Sequence, residues 1–234
     1  MNNLLFIQLL QITLQDTVVN QAGEAEQLSL SFWNLAFKGG WVMIPIILLS
    51  FIAVYIFFER YFVIRKLSKE DTNFMDRIKD FIHDGKIESA QALCQSIDSP
   101  TSRMIEKGIQ RIGRPLNDIN AAVENVGRLE IYKLEKGLPT LATVAGAAPM
   151  IGFLGTVMGM IIAFYDMSNA GSNINVALLS NGIYTAMVTT VAGLIVGIIA
   201  YFAYNILVAK VEKIVNQLEA RTSEFMDLLN EPVS

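Results

Sequence analysis

Three stretches of the chain run without a charged side chain for long enough to cross, or nearly cross, a lipid bilayer. They are 41–58, 138–165 and the segment within 167–209 that ends at Lys210. A spanning helix needs about 20 apolar residues, because each adds about 1.5 Å against a hydrocarbon core of about 30 Å. Only 17% of the 234 residues are charged and 53% are hydrophobic, which is typical of membrane proteins. The sequence therefore predicts an all-α integral membrane protein with three transmembrane helices, the long second and third extending into a cytoplasmic helical bundle.

Lys and Arg are distributed unevenly around these spans. The segment before the first span carries Lys38 alone, and the loop that follows Asp166 carries none. Cytoplasmic segments of membrane proteins are enriched in these cations, so the N-terminus is expected outside and the large loop and the tail inside. The large loop carries thirteen cations, at Arg65, Lys66, Lys69, Arg77, Lys79, Lys86, Arg103, Lys107, Arg111, Arg114, Arg128, Lys133 and Lys136, and the tail carries Lys210, Lys213 and Arg221.

The spans and the charges together divide the chain into seven segments. We expect a periplasmic N-terminal segment with amphipathic helices, the first transmembrane helix, a cytoplasmic helical loop, the second transmembrane helix, a short periplasmic loop, the third transmembrane helix and a cytoplasmic C-terminal helix. Their predicted bounds, in that order, are 1–38, 39–62, 63–137, 138–166, 167–175, 176–209 and 210–234.

The apolar run 4–14 is too short to cross a bilayer. Gln8, Gln11 and Gln15 fall on one helical face, which predicts a helix lying at the membrane surface. The aromatic segment 32–37 predicts a second one. The alternative, a cleaved signal peptide, is disfavoured because the run lacks a positively charged start and 22–25 is a poor cleavage site.

The cytoplasmic part repeats apolar residues at helical spacing. Breaks are expected at Ser99-Pro100 and at 113–115, and Asn117 or Asp118 is expected to cap the helix that leads to the second span. The apolar stripe of the tail predicts packing against the loop helices. The stripe positions are Phe74, Ile78, Phe81, Ile82, Ile87, Ala90, Leu93 and Cys94 in the loop, and Val211, Ile214, Val215, Leu218, Phe225 and Leu229 in the tail.

The sequence offers few residues that could carry out catalysis or bind a metal. Cys94 and His83 are the only residues of their types, and neither has ligand residues at metal-site spacing, so a packed cysteine and a solvated histidine are expected. The net charge of −4 and the lack of a dense basic patch argue against nucleic acid as a partner. We therefore expect no enzyme activity, no cofactor and no bound metal.

The second and third spans each combine a stripe of small residues with threonines. Such stripes predict close helix packing, and Pro149 is expected to bend the second span. A buried threonine often bonds the carbonyl one turn back, so plain packing and an ion pathway are both open interpretations of the hydroxyls. The stripes are Gly152, Gly155, Gly159 and Ala163 in the second span and Gly182, Ala186, Thr190, Gly193 and Gly197 in the third, and the other hydroxyls are Thr143, Thr156, Thr185 and Thr189.

No Asp, Glu, Lys, Arg or His lies inside any of the three spans. The nearest charges sit at their edges, as with Asp166 and the expected ion pair Glu59–Arg60. An autonomous proton carrier needs an ionisable group at membrane depth. If this chain moves protons, the titrating group therefore comes from a partner, and the hydroxyls bond that group, hold water or desolvate an ion in steps.

At these residues the sequence resembles the ExbB/TolQ/MotA family of ion-driven stator subunits, nearest to its ExbB and TolQ branches. The most distinctive block is Ala-Pro-Met-Ile-Gly-Phe-Leu-Gly-Thr-Val-Met-Gly-Met at 148–160, preceded by Leu-Glu-Lys-Gly-Leu at 134–138. The third span adds Ala-Met-Val-Thr-Thr-Val-Ala-Gly-Leu at 186–194 and Ala-Tyr-Asn at 203–205, and the first adds Gly39-Gly40, Pro45, 48–50 and Glu59-Arg60. The resemblance covers about 30–210.

The resemblance implies an ExbB-like subunit in the bacterial inner membrane, surrounded by lipid. Five such subunits would form a homopentameric ring around a pair of single-span ExbD-like helices, whose aspartate takes up and releases protons. Ion flow would turn one component within the other, and the motion would pass to a TonB-like protein or, in a TolQ-like stator, to the Tol system of envelope maintenance. Thr156 and Thr190 match the family's pore-facing threonines.

One position departs from the family pattern. Close ExbB and TolQ relatives carry a glutamate where this chain has Thr185. The pathway is then richer in hydroxyls and poorer in acid, and hydroxyl oxygens also coordinate sodium, so both proton and sodium coupling stay open.

Two other classes of function are alternatives to a conducting motor subunit. A membrane scaffold would anchor a partner without conducting. A self-contained solute transporter is disfavoured, because the spans are few, lack charge and show no internal repeat.

Overall fold

The computed structural model describes residues 40–68, 73–169 and 176–230, with the backbone alone for 176–178. Seven α-helices and no strand are present in these residues, which confirms the all-α prediction. In chain order they are α1 (Met43–Leu67), α2 (Phe74–His83), α3 (Ile87–Ser96), α4 (Pro100–Ile109), α5 (Leu116–Glu135), α6 (Leu138–Asn169) and α7 (Val176–Asn230).

Three of the helices, α1, α6 and α7, are long and apolar enough to cross a membrane, as predicted. The 25 residues of α1 span about 37 Å, and the 32 of α6 about 48 Å. The 55 residues of α7 would reach about 80 Å, which is more than twice a bilayer core of about 30 Å. Much of α7 therefore lies outside the hydrocarbon. The surface helices predicted over 4–14 and 32–37, the possible cleavage site at 22–25 and most of the loop 167–175 lie outside the described residues.

Helix α4 begins at the predicted Ser-Pro break. Ser99 is the N-cap and its hydroxyl accepts the Ser102 amide at 3.1 Å, while Pro100 occupies the first turn, where a missing N–H costs nothing. The predicted cap of α5 was wrong. The helix begins at Leu116 with Pro115 at the N-cap, so Asn117 and Asp118 lie inside its first turn. The fixed φ of proline starts this helix without a side-chain cap.

Only Lys136 and Gly137 separate α5 from α6. Gly137 has φ +85°, a left-handed conformation that glycine adopts without a Cβ clash. Its carbonyl then accepts the Leu141 amide at 3.1 Å, which starts α6.

The chain divides into two compact units. The described residues of the first unit are 40–44 and 152–192, and those of the second are 45–151 and 193–230. The second unit holds a hydrophobic core built from α1–α5, the start of α6 and the long end of α7. Ile78, Val123 and Phe225 are fully buried there, and Val211, Ile214 and Leu218 of the predicted tail stripe are buried with them.

Candidate functional site

In the first unit, α6 and α7 approach each other through small residues. A methyl group added at Gly155 would lie 2.5 Å from the Thr189 hydroxyl oxygen, and one added at Gly182 would lie 2.5 Å from the Ala163 methyl. At Gly159 the added group would lie 2.9 Å from the methyl of Ala186. Real side chains do not fit at these distances, so the absence of side chains lets the two backbones pack directly.

Three threonine hydroxyls cluster at this contact. Thr190 donates to the Gly152 carbonyl at 3.1 Å, and Thr189 donates to the Ala186 carbonyl at 2.7 Å. The Thr156 hydroxyl lies against that of Thr190 and is 3.3 Å from each of the same two carbonyls. We call Thr156, Thr189 and Thr190 the threonine cluster.

The threonine cluster has more lone pairs that can accept hydrogen bonds than hydroxyl protons that can donate them. Each hydroxyl carries one proton and two lone pairs, and the Gly152 and Ala186 carbonyls accept the protons from neighbouring hydroxyls. Hydroxyl lone pairs therefore stay available. Such oxygens can accept a hydrogen bond from a protonated carboxyl or from water, or coordinate a cation, but an alcohol does not itself release a proton near neutral pH.

The three hydroxyls differ in access. Thr189 is 1% exposed, whereas Thr156 and Thr190 are half-buried, so only these two present an open side. Thr185 is also half-buried and lies one turn before Thr189 on α7. The structure brings Thr156, Thr189 and Thr190 together and records no bond from Thr185 to them.

The other residues predicted for helix packing or the ion path lie around this contact or apart from it. Gly152 is buried in the first unit and supplies the carbonyl shared by the hydroxyls. In the second unit Gly193 and Gly197 are buried, and a methyl at Gly197 would collide with the Pro149 ring. Pro149 lies inside the continuous helix α6, packed against α7 at Gly197. Thr143 is exposed and donates to the Pro139 carbonyl of its own helix at 2.8 Å.

Glu59 and Arg60 form the expected ion pair, at 3.3 Å, with the Arg60 side chain 8% exposed. Arg60 also donates to the Lys133 carbonyl at 3.2 Å. This carbonyl lies in the last turn of α5, where the helix dipole stabilises a cation. Its Nε lies 3.3 Å from where a Gly137 methyl would be. Arg60 therefore connects α1 to the junction of α5 and α6, a contact that the sequence did not predict.

A buried ionic network that joins α4 and α5 was also not predicted from the sequence. Glu130 accepts from Arg103 and from Lys133, each at 2.7 Å, and Arg103 continues to Asp98 at 2.6 Å. The Glu130 side chain is 4% exposed. A sequence signal existed, because Glu130 occupies the apolar stripe of α5 between Gly127 and Leu134.

The network sets the pKa values of its members. Burial raises the pKa of Glu130, but the hydrogen bonds from Arg103 and Lys133 outweigh it and the net pKa lies below the usual range. The same contacts raise the pKa of Arg103, and Arg103 and Lys66 lower that of Asp98. Burial raises the pKa of the nearby Cys94 thiol to about 12, which makes it a packing residue rather than a nucleophile.

Among the described residues no three His, Cys, Asp or Glu side chains come together in a way that would hold a metal ion. The arrangement of the threonine cluster is instead that of an uncharged wall with open oxygen acceptors.

Comparison with known proteins identifies the family of this chain. Residues 96–220, more than half of the chain, match the family model described as the MotA/TolQ/ExbB proton channel family. The chain is 30% identical to the Tol-Pal system protein TolQ of Haemophilus influenzae over 86% of its own length and 94% of that protein. It is 38% identical to the biopolymer transport protein ExbB of Aquifex aeolicus over 44% of its own length and 70% of that protein.

A third relative is an ExbB homolog of Methanothermobacter thermautotrophicus, 28% identical over 69% of this chain. The match spans 57% of that protein's length. The matched region 96–220 contains the threonine cluster, the small-residue contact and the Glu130 network. The chain is a membrane protein that belongs to the MotA/TolQ/ExbB proton channel family.

Proposed function

We propose that this chain is an ExbB-like subunit of a proton-driven motor in the inner membrane, and that the threonine cluster forms part of its ion path. The N-terminus would be periplasmic and the C-terminus cytoplasmic, as the Lys and Arg distribution predicts. The chain would act by conducting ions and converting their flow into motion of the complex, with no catalytic residue.

One observation carries the proposal. Thr156 and Thr190 place half-open hydroxyls side by side in spans that contain no Asp, Glu, Lys, Arg or His. Oxygen acceptors without a titrating group suit a wall that receives a carboxylic acid from another protein. A protonated acid would donate to a threonine oxygen, and an ionised one would accept from a threonine hydroxyl that rotates away from its carbonyl.

The partner that fits is a single-span helix with an aspartate at the depth of Thr156 and Thr190. We propose that several copies of this chain, as a pentameric ring, surround a pair of such ExbD-like helices, and that a TonB-like protein receives the motion. The small-residue contact of α6 with α7 supports this arrangement, because it fixes the two pore-lining helices of each subunit closely against each other.

A second candidate is a TolQ-like stator for envelope maintenance. The alignment with the Haemophilus TolQ covers nearly the whole of both chains, whereas the Aquifex ExbB match covers less than half of this chain. The threonine cluster would serve the same purpose in either system. The two candidates differ in which partner takes up the motion.

The test is ion flux in vesicles that hold this chain together with its single-span partner. Proton and sodium gradients are varied separately, and Thr156→Ala/Thr190→Ala is compared with the unmodified chain. We expect flux that follows the proton gradient and a loss of at least ten-fold in the variant. Thr222→Ala is the matched control, because Thr222 also bonds a carbonyl of its own helix, at 2.8 Å, but lies beyond the predicted spans.

The outcomes separate the alternatives. Flux that follows sodium would change the coupling ion but leave the pathway in place. Equal flux in the double variant and the unmodified chain would remove the threonine cluster from the pathway. No flux from the assembled, unmodified complex would favour the scaffold.

A further inference from the structure

A small groove in the second unit is lined almost entirely by basic and polar side chains. It lies between the end of α1 and α7, has a volume of about 340 Å³, and is lined by Ile64, Arg65, Ser68, Lys210 and Lys213. Three of these five residues are cations. The fully buried Ile64 provides an apolar floor.

No carboxylate lines this groove among the described residues. Glu59 pairs with Arg60, and Asp98 pairs with Lys66 and Arg103. Glu212 lies between Lys210 and Lys213 in the sequence but lines a different groove, beside Val211 and Val215. Within the described part of the chain, Arg65 and Lys213 make no ion pair, and both are exposed. The cations of the groove therefore keep their charge available for a ligand.

Lys210 is held in place by an aromatic ring. Its ammonium nitrogen lies 3.9 Å from the centre of the Tyr61 ring on α1, a cation–π contact. This contact puts Tyr61 and Lys210 at the same level along the two helices. Arg65 and Lys213 each follow about one turn later, so the two helices present their cations together.

The groove lies where two exposed apolar surfaces end. Phe62 is 64% exposed and Ile206 is 47% exposed, and each precedes a cation of the groove by about one turn of the same helix. Exposed apolar side chains on a spanning helix face lipid, and cations at its end face the headgroups. In a bilayer we therefore expect the groove to open at the level of the lipid phosphates.

We propose that this groove binds the phosphate of an anionic phospholipid headgroup. Arg65, Lys210 and Lys213 supply the charge, and the Ser68 hydroxyl supplies a neutral donor. Phosphate oxygens accept several hydrogen bonds at once, and basic pockets between spanning helices on the cytoplasmic side suit such headgroups. The lipid acyl chains would lie along the exposed apolar side chains of α1 and α7.

The experiment adds phosphatidylglycerol or phosphatidylcholine to the detergent-solubilised full-length protein and counts bound lipid by native mass spectrometry. We expect phosphatidylglycerol to bind the unmodified protein at concentrations at which phosphatidylcholine does not. Each cation removed should weaken phosphatidylglycerol binding on the order of five-fold, so Arg65→Gln/Lys213→Gln should weaken it by more than ten-fold. Phosphatidylcholine binding should stay unchanged, whereas a misfolded variant would change both.

Two further variants control for charge and for folding. Lys107→Gln/Arg111→Gln removes the same charge from the end of α4 and should bind phosphatidylglycerol as the unmodified protein does. Lys213→Gln alone, at an exposed position, should show the single five-fold loss. Equal binding of both lipids by the unmodified protein, or an equal loss in the α4 control, would overturn the proposal.

A last arm separates lipid from free phosphate. Soluble glycerol 1-phosphate carries the same phosphate without acyl chains, and we expect it not to displace the lipid at equal concentration. Displacement would assign the groove to soluble phosphate compounds and reject the lipid.

Discussion

Two polar clusters in this protein, each built around one buried side chain, use opposite chemistry. The threonine cluster of the first unit contains hydroxyls and carbonyls and no charge. The Glu130 network of the second unit joins Glu130, Arg103, Lys133 and Asp98 by ion pairs of 2.6–2.7 Å. A lone charge in a bilayer costs several kcal/mol, whereas helices outside the apolar spans can bury a charge that is paired and partly hydrated. The spans thus keep polar oxygens without a charge of their own, as the proposed partner aspartate requires.

The two regions also differ in how their helices meet. In the first unit, Gly155, Gly159 and Gly182 let α6 and α7 touch through backbone and small side chains. In the second unit, Ile78, Val123 and Phe225 fill the space between the helices. Between spanning helices there is no hydrophobic drive, so close van der Waals contact replaces it. Substitutions should therefore act by different mechanisms in the two regions.

The largest effect is expected from filling the glycine contact. Gly155→Leu should prevent correct assembly, because its Cβ alone would lie 2.5 Å from the Thr189 hydroxyl oxygen and 3.0 Å from a methyl carbon of Val42. Gly155→Ala should cost about 1–3 kcal/mol through overpacking. Native mass spectrometry of the purified complex and its thermal midpoint measure both effects.

Gly146→Ala on the same helix is the matched control. A methyl there meets nothing within 4 Å inside the chain, so the midpoint should stay near that of the unmodified protein. If Gly155→Ala and Gly146→Ala behave alike, close packing at Gly155 is not what holds α6 against α7.

The next largest effect is expected at the ionic network. Glu130→Ala should destabilise the packing of α4 and α5 by about 2 kcal/mol, because it removes the carboxylate that Arg103 and Lys133 share and leaves Arg103 with Asp98 alone. The loss stays below that of a fully buried pair, since these partners are 34% and 63% exposed. Maleimide labelling of buried Cys94 reports the opening, and we expect it to accelerate about 30-fold. Glu124→Ala, on the same helix with a loose 3.9 Å pair to Arg128, should label like the unmodified protein, and an equal acceleration would refute a special role for Glu130.

A smaller effect is expected from pH. Because the folded-state pKa of Glu130 lies below its ordinary value of 4.5, the unfolded chain binds more protons as the pH falls. Its contribution is present above about pH 4.5 and is lost as the pH falls through the folded-state pKa. The thermal midpoint of Glu130→Gln should therefore fall less steeply below pH 4.5 than that of the unmodified protein. Parallel curves would show that Glu130 is not responsible.

The smallest effect is expected at the exposed end of the same network. The Lys66–Asp98 pair spans 3.5 Å, and its side chains are 76% and 70% exposed. Water and salt screen such pairs, so Lys66→Gln should leave the thermal midpoint unchanged. A drop as large as that of Glu130→Ala would mean that burial does not decide the strength of these pairs.

The sequence predicted the parts of the fold that follow from periodicity and charge. The three spans, the helices between the first and second spans and the apolar stripe through Val211, Ile214 and Leu218 depend on local patterns. The start of α5 was misassigned to Asn117 or Asp118, because the usual capping residues competed with a proline that set the start at Leu116.

Long-range polar contacts were harder to predict. The sequence does not state which turn of α6 faces which turn of α7, so the shared Gly152 carbonyl of Thr189 and Thr190 emerges only in three dimensions. The same holds for Arg60, which reaches a carbonyl 73 residues away. Glu130 was visible as a charge on an apolar stripe, but its partner Arg103 on another helix was not.

The most direct test of the central claim separates the hydroxyl of Thr190 from its methyl group. Thr190→Val keeps the branched shape and removes the oxygen, and Thr190→Ser keeps the oxygen and removes the methyl. Proton flux is measured in vesicles that contain the chain and its aspartate-bearing partner. We predict that Thr190→Ser conducts within about three-fold of the unmodified chain and that Thr190→Val loses at least ten-fold. Equal flux through Thr190→Val and the unmodified chain would contradict the claim that this hydroxyl takes part in ion passage.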